Sequence, residues 1–220
     1  MTIVNNIFCI IKPIRKVFHL ALLMQAMLCF SHKPLALAKA DKQLLLQEYS
    51  AEISKVENYL NNITNLSSNF TQISSSGTAS SGKFYLSRPG KMRIEYDTDP
   101  AIVIVVNGPV LSYYDIELEE ISNLRTNTTP ASLLTRKNIS FLAKDIEIID
   151  IEKNQNYIKL TIAKKNNKDS GNFSLLFNLD PIEFLQMEVK NDLDDLIKVV
   201  LQDVDLQSII DNDLFILKTK

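Results

Sequence analysis

The spacing of apolar residues along this chain changes from helical to strand-like near residue 63. From Lys42 to Asn62, Leu46, Tyr49, Ile53, Val56 and Leu60 recur at intervals of three and four, and Ile63 continues the series. That spacing places them on one stripe of an amphipathic helix. The stripe lasts under four heptads, so it is read as packing on its own domain, with a dimerising coiled coil as the alternative. Beyond it the period falls to two. In "KMRIEY", Met92, Ile94 and Tyr96 alternate with Lys91, Arg93 and Glu95, which predicts a β-strand with one buried face. The preceding run puts Phe84 and Leu86 on one face, and the same phase carries on to Arg88. A fixed charge in step with an apolar face needs a reason. Pro89 disfavours helical backbone at Arg88, so the face assignment extends to it.

Around this hairpin the pattern predicts further strands. A short one is expected over Phe70–Ile73. "AIVIVV" is apolar on both faces, so its strand is expected to be covered on both sides, and Asn107-Gly108 predicts a type I′ turn into "PVLSYYD". "TNTTPASLLTRKNISF" predicts a second helix, with Thr128 or Thr129 as cap, Pro130 in its first turn, and Leu133 and Leu134 as its apolar side. From Asp145 onward six more alternating runs follow, ending in "LFIL". The five glycines stand apart, each near a turn signal, and none builds a phosphate-binding loop.

The first 40 residues read differently. Lys12, Arg15 and Lys16 precede an apolar run from Val17 to Phe30, and Ala36, Ala38 and Ala40 follow it. That order is expected of a cleaved secretory signal cut after Ala40 or Ala38, leaving one domain over residues 41–220. The 14-residue apolar run is shorter than the roughly 20 residues that span a bilayer, so a permanent anchor is not expected. Leu28 stands before Cys29, where lipid attachment needs a small residue, so the mature chain is expected to carry no lipid of its own.

Removing this segment limits the chemistry. Both cysteines and both histidines go with it, as do five of the 24 basic residues and none of the 26 acidic ones, moving the net charge from −2 to −7. Nucleic acid is therefore not an expected partner. A Ser-His-Asp triad, a cysteine nucleophile and an ordinary zinc site are excluded from residues 41–220, and no cofactor is expected. Carboxylates remain, at Glu117, Glu119 and Glu120 and at Asp192, Asp194 and Asp195, and both groups read as solvated turns. An enzyme is not expected.

Roughly ten strands and two helices predict a mainly β fold: a curved antiparallel sheet with both helices against its concave face. A membrane-spanning barrel would leave the helical stripes nothing to cover. If the helices fit loosely, the space beneath them is a lipophilic cavity lined by Phe84, Leu86, Met92, Ile94 and Tyr96. The alternative is that these five form ordinary tight core.

In order and spacing, "NFTQ", "GKFYLSRPGKMRIEY", "IVVNG…LSYYD", "TTPASLL" and "NLDPIEFLQMEV…VVLQDVDLQ" resemble the periplasmic outer-membrane lipoprotein carrier family, LolA, over nearly all of residues 41–220. The resemblance implies an incomplete, half-open antiparallel β-barrel of about ten to eleven strands, its concave face covered by a lid of two or three helices, and a monomeric carrier of acylated lipoproteins. It would load from an inner-membrane lipoprotein-releasing ABC transporter complex and deliver to an outer-membrane receptor, LolB-like, that shares the fold. A related lipid-binding or lipoprotein-sensing module of the same fold is the alternative; a sensor is expected to add a second domain, for which this reading finds no room after Leu217. The resemblance also implies that Arg88 latches a lid built from Leu46, Tyr49, Ile53, Pro130, Leu133 and Leu134. The bland alternative is an arginine that snorkels from a strand end into water. This chain has no Trp, which family members carry in these strands, so its cavity is expected to differ in shape.

Overall fold

A computed structural model describes residues 35–98, 101–165, 171–190 and 195–218. Residues 1–34, where most of the signal-like segment falls, lie outside the described residues. Among the described residues no helix is long and apolar enough to cross a membrane. The chain divides into two units, Met1–Lys42 and Gln43–Lys220, and the account below concerns the second.

The helical stripe is shared between two helices, α1 (Leu35–Glu48) and α2 (Ser50–Asn62). They break at Tyr49, whose φ and ψ of −98° and 17° leave the helical region. The hydrogen-bond ladder survives the break, because Tyr49 N–H bonds Leu45 O at 3.1 Å and Ile53 N–H bonds Tyr49 O at 2.9 Å. Ile53, Val56 and Leu60 of α2 are buried, and Ile63 closes the stripe just beyond the helix.

Eleven strands follow: β1 (Asn65–Ser74), β2 (Ala79–Ser87), β3 (Lys91–Tyr96), β4 (Ile102–Asn107), β5 (Val110–Asp115), β6 (Glu120–Arg125), β7 (Ile146–Lys153), β8 (Tyr157–Lys164), β9 (Asn172–Leu179), β10 (Ile182–Lys190) and β11 (Leu196–Asp205). They form one antiparallel sheet in the order β6-β5-β4-β3-β2-β1-β11-β10-β9-β8-β7. The first and last strands pair in the middle, Phe70 opposite Leu201, while β6 and β7 share no ladder. The sheet is therefore open, as the resemblance implies.

Its inner face carries the main core. Leu66 and Phe70 of β1, Phe84 and Leu86 of β2, and Phe173, Leu175 and Phe177 of β9 are buried there with the α2 stripe. Two strands skip a beat to keep this phase. In β7 the buried residues run Ile146, Ile148, Ile151, with a register shift between Ile148 and Asp150; in β10 they run Phe184, Met187, with a shift between Phe184 and Gln186. Each bulge inserts one residue and turns it outward, so Ile149 and Leu185 are exposed.

The structure corrects several local expectations. The strand expected over Phe70–Ile73 is the ten-residue β1, because polar Ser67 and Asn69 alternate with Leu66 and Phe70 and extend the pairing. Asn107 pairs with Val110, so the β4–β5 turn is centred on Gly108 and Pro109. Gly108 has φ 61°, and proline's fixed negative φ at the second position excludes a type I′ turn in favour of a II′-like one. The second helix is one turn, α3 (Ala131–Leu134), preceded by a 3₁₀ turn at Thr126–Thr128. Neither threonine caps it: Thr128 and Thr129 donate their hydroxyls back to Arg125 O and Thr126 O, each at 2.8 Å. "LFIL" is no strand; Asn212–Phe215 forms a 3₁₀ turn against the outer face. There fully buried Phe215 packs with Val103 and Val105 of β4, giving that strand the cover on both sides that its sequence predicts.

Gly82 also departs from the expectation of a turn, since it lies inside β2. A Cβ there would stand 1.9 Å from Glu95 O and 2.9 Å from the Phe70 ring. Phe70 and Tyr96 are its register partners on β1 and β3, and their rings meet edge to face at 5.3 Å. The missing side chain is what lets these rings meet. Gly82→Ala is expected to destabilise the fold by about 3 kcal/mol, the upper range for overpacking, because backbone cannot yield as a side-chain tip does. Urea unfolding would show the loss as a lower midpoint at unchanged slope.

Candidate functional site

The site begins with β2. Gly82, Phe84 and Leu86 are buried on alternate positions, and Arg88, one residue past the strand end in the β2–β3 turn, is buried in the same phase at 9 % exposure. The face assignment therefore does persist to Arg88; its peptide bond to Pro89 is cis. On β3, Met92, Ile94 and Tyr96 pair with Leu86, Phe84 and Gly82. The five residues expected to line a cavity thus form two adjacent rows of the inner face. Phe84, Leu86 and Met92 are buried, and Ile94 and Tyr96 pack half-buried against the same core.

The residues expected to form a lid meet this face. Ile53, Leu133 and Leu134 are buried in the shared core and Leu46 and Tyr49 pack against it, while Pro130 is half-buried as the residue that opens α3. In this state the apolar face and its cover close on one another. A cavity of about 30 Å³ remains beneath α3, walled by Leu133, Ile146, Ile162 and Phe173, and none of the five candidate lining residues borders it. That is the space of about one water molecule, not of an acyl chain.

Arg88 joins the cover to the sheet. Its Nε donates to Ile63 O at 2.9 Å, one Nη donates to the same carbonyl, and the other reaches Arg136 O at 3.5 Å. Ile63 follows the last residue of α2, where carbonyls lack helical partners, and Arg136 lies just after α3. Arg88 N–H bonds Thr64 O at 2.8 Å, and Gly90 N–H bonds Thr135 O at 2.8 Å. One corner thus holds the ends of both lid pieces. Burial draws the guanidinium pKa below its ordinary value, yet the group stays charged. Its hydrogen-bond partners are carbonyl dipoles rather than a carboxylate, so this is a hold of a few hydrogen bonds.

Other ties gave no sequence signal. Asn61 exchanges two hydrogen bonds with the backbone of Ile139, at 2.9 and 2.8 Å, and Glu57 accepts from Phe141 N–H at 2.6 Å. These pin the loop after α3 onto α2 and bury Ile139 and Phe141. Tyr59 Oη accepts from Phe184 N–H at 3.2 Å, joining α2 to β10. Glu57 and Asn61 flank the helical stripe, where polar residues ordinarily meet solvent. Among the described residues, the acidic groups take no part in the site. Glu117, Glu119 and Glu120 are exposed, and Asp195 accepts from Ser75 Oγ at 3.4 Å; Asp192 and Asp194 lie outside the described residues. Among the described residues, no His/Cys/Asp/Glu group has the makings of a metal site.

Comparison with known proteins places this arrangement among relatives. A family model described as outer membrane lipoprotein carrier protein LolA matches residues 61–218. An outer-membrane lipoprotein carrier protein of Methylococcus capsulatus is 28 % identical over 140 residues, covering 62 % of this chain and 66 % of that protein. One of Coxiella burnetii is 31 % identical over 104 residues, covering 46 % and 42 %. The chain therefore spans less than two thirds of the length of these relatives. A solved LolA superfamily protein of Nitrosomonas europaea is 9 % identical and covers 74 % of this chain and 96 % of its own, with a TM-score of 0.45. That score decides nothing about the fold, which rests on the eleven-stranded sheet itself.

Tyr96 supplies a pH test of the closed face. Its hydroxyl donates to Gln72 Oε1 at 2.8 Å, and burial pushes its pKa up to about 12. Unfolded tyrosine ionises near pH 10, so above that pH the unfolded state releases a proton that the folded state keeps. Stability from this group is fully present below about pH 10 and is lost as pH rises towards 12. Burial raises Tyr59 and Tyr113 in the same direction. Denaturation followed from pH 9 to 12 should show a falling midpoint, and Tyr96→Phe should flatten that fall.

Proposed function

The chain belongs to the outer membrane lipoprotein carrier family LolA, and on that premise we propose that it is a periplasmic carrier of lipoprotein acyl chains. Residues 1–40 act as its export signal. Cargo comes from the inner-membrane ATP-driven exporter and passes to the outer-membrane receptor. The work is binding and release, not bond-breaking.

The observation that carries this reading is Arg88, a charge on the apolar phase that bonds the carbonyls ending both lid pieces. Each acyl CH₂ taken out of water contributes about 0.8 kcal/mol, so a long chain held in a perfectly fitting cavity would not leave. A large exposed apolar face would in turn drive aggregation when empty. A cover that closes on its own face meets both constraints. The closing energy competes with cargo and drives its release, as any two-state equilibrium requires. Phe84, Leu86, Met92, Ile94 and Tyr96 form the lining exposed when Leu46, Tyr49, Ile53, Pro130, Leu133 and Leu134 move away.

Arg88→Leu separates the latch from a structural arginine. Leucine keeps an apolar filling, and replacing a buried charge by an apolar side chain is often near neutral for stability, so the variant should fold. Without donors the lid has less to return to, and the loaded state is favoured by about ten- to a hundredfold, the worth of one or two charged hydrogen bonds. Transfer of a labelled triacylated lipoprotein to receptor-bearing vesicles should slow accordingly. Transfer at the wild-type rate by folded Arg88→Leu would falsify the latch.

The carrier reading has its own check. The protein purified from the periplasm should bring intact triacylated lipoprotein, visible by mass spectrometry, and its depletion should strand lipoproteins at the inner membrane. Cleaved acyl products in place of intact cargo would point to a hydrolase.

A further inference from the structure

Arg88 is not alone in its pattern. On β8, Ile158, Leu160 and Ile162 are buried on alternate positions, and the next residue in that phase is half-buried Lys164, the last of the strand. Its ammonium donates to Asn127 O and, at 3.0 Å, to Thr129 O. Both carbonyls belong to the lid segment, on the N-terminal side of α3, whereas Arg88 and Gly90 hold the C-terminal side at Arg136 and Thr135. The lid segment is thus tied at each end by a cation that stands at or just past a strand end on its apolar phase.

The Lys164 tie also bridges the opening of the sheet. Asn127 and Thr129 follow edge strand β6 closely, and β8 lies beside the other edge strand, β7. No ladder joins β6 to β7, so these two side-chain bonds link elements that the sheet leaves apart. The small cavity walled by Leu133, Ile146, Ile162 and Phe173 lies at this end, with Lys164 and Arg136 on its border. Arg136 is held by Asp145 through both carboxylate oxygens and is not free to replace Lys164. Burial and the charge of Arg136 draw the Lys164 pKa down, Asp145 opposing them. Its partners, like those of Arg88, are main-chain carbonyls.

We propose that Lys164 is a second clasp on the lid, a positioning residue that holds the segment Asn127–Thr129 against β8, and that the lid opens from this end first. The order follows from the ties at each end. At the C-terminal side a main-chain bond from Gly90 N–H to Thr135 O, at 2.8 Å, is backed by the more deeply buried Arg88, while at the other side an ammonium on a flexible stem beside incompletely filled space yields more readily. Resting on the carrier reading, this makes the gap between α3 and the β7–β8–β9 end of the sheet the place where the first acyl chain is admitted.

Hydrogen exchange of the empty protein tests the clasp without cargo. The reporters are the amides of Thr126, bonded to Pro109 O, and Thr129, bonded to Thr126 O, at one end, and Gly90, bonded to Thr135 O, at the other. Lys164→Met should raise exchange at Thr126 and Thr129 about tenfold, the factor that one charged hydrogen bond carries, and leave Gly90 within about twofold. Arg88→Leu should do the reverse, and Lys164→Arg should restore slow exchange. Amides of β1 and β2 report whether each variant is folded; if Lys164→Met is not, Lys164→Gln takes the same measurement. Unchanged exchange at Thr126 and Thr129 overturns the clasp, and an equal rise at Gly90 overturns the order of opening. Association with a fluorescent triacylated lipopeptide should speed up about tenfold in Lys164→Met and return to the wild-type rate in Lys164→Arg. If the lipopeptide binds no form of the protein, the carrier reading fails while the exchange result still decides the clasp.

Discussion

An antiparallel sheet that leaves its edge strands unpaired cannot cover its own inner face, and everything else in this molecule answers that constraint. A closed barrel would bury Phe84, Leu175 and Phe177 by facing strand against strand. Here β6 and β7 never join, so the face is covered by α2, α3 and the loop carrying Ile139 and Phe141. These pieces come from both sides of the first six strands in sequence. They have too little structure of their own to hold position, α3 being one helical turn. What fixes them is a set of bonds between side chains and main-chain carbonyls or amides: Arg88 to Ile63 and Arg136, Asn61 to Ile139, Glu57 to Phe141, Lys164 to Asn127 and Thr129.

Such bonds suit the movable cover that the proposed carrier requires. A carboxylate facing Arg88 would hold it harder and cost more to separate in a dry site, whereas a carbonyl can be exchanged for water or for another acceptor. Apolar packing between cover and sheet supplies most of the energy that holds the cover in place, because it scales with area. The hydrogen bonds decide which arrangement that packing adopts. The second face of the sheet shows the contrast. There Phe215 is fully buried on Val103 and Val105, Arg93 donates to Leu214 O at 3.1 Å, and Lys91 reaches Asn212 at 2.6 Å. The polar face of β3 is therefore partly covered rather than simply wet.

Much of the fold was legible because burial on a sheet has a short period. The rows Phe84–Leu86 and Met92–Ile94–Tyr96 follow from alternation alone, and so does the place of Arg88 in phase with them. Lys164 carries the same signal, in phase with Ile158, Leu160 and Ile162, but a lysine ending a strand ordinarily reaches water. Other features were hidden for physical reasons. "IEIIDIE" offers two apolar phases, and only pairing with β8 decides that Ile149 is the bulged residue turned outward. Gly82 reads as a turn glycine until Phe70 and Tyr96 are brought beside it from other strands. "LFIL" has a strand's composition, but its apolar residues find the outside of β4 instead of a ladder partner.

By itself, then, the sequence determined the strands, the amphipathic stripe, the phase of the inner face and the chemistry that histidine and cysteine cannot supply after residue 40. These depend on neighbours one to four residues away, and short-range spacing encodes them directly. Only the tertiary structure decided which carbonyls Arg88 and Lys164 bond, that Asn61 and Glu57 pin a loop, and that α2 and α3 pack tightly over the apolar rows. Each of those links residues 25 to 84 positions apart, where no periodicity reaches and the partner is a main-chain group that every residue carries.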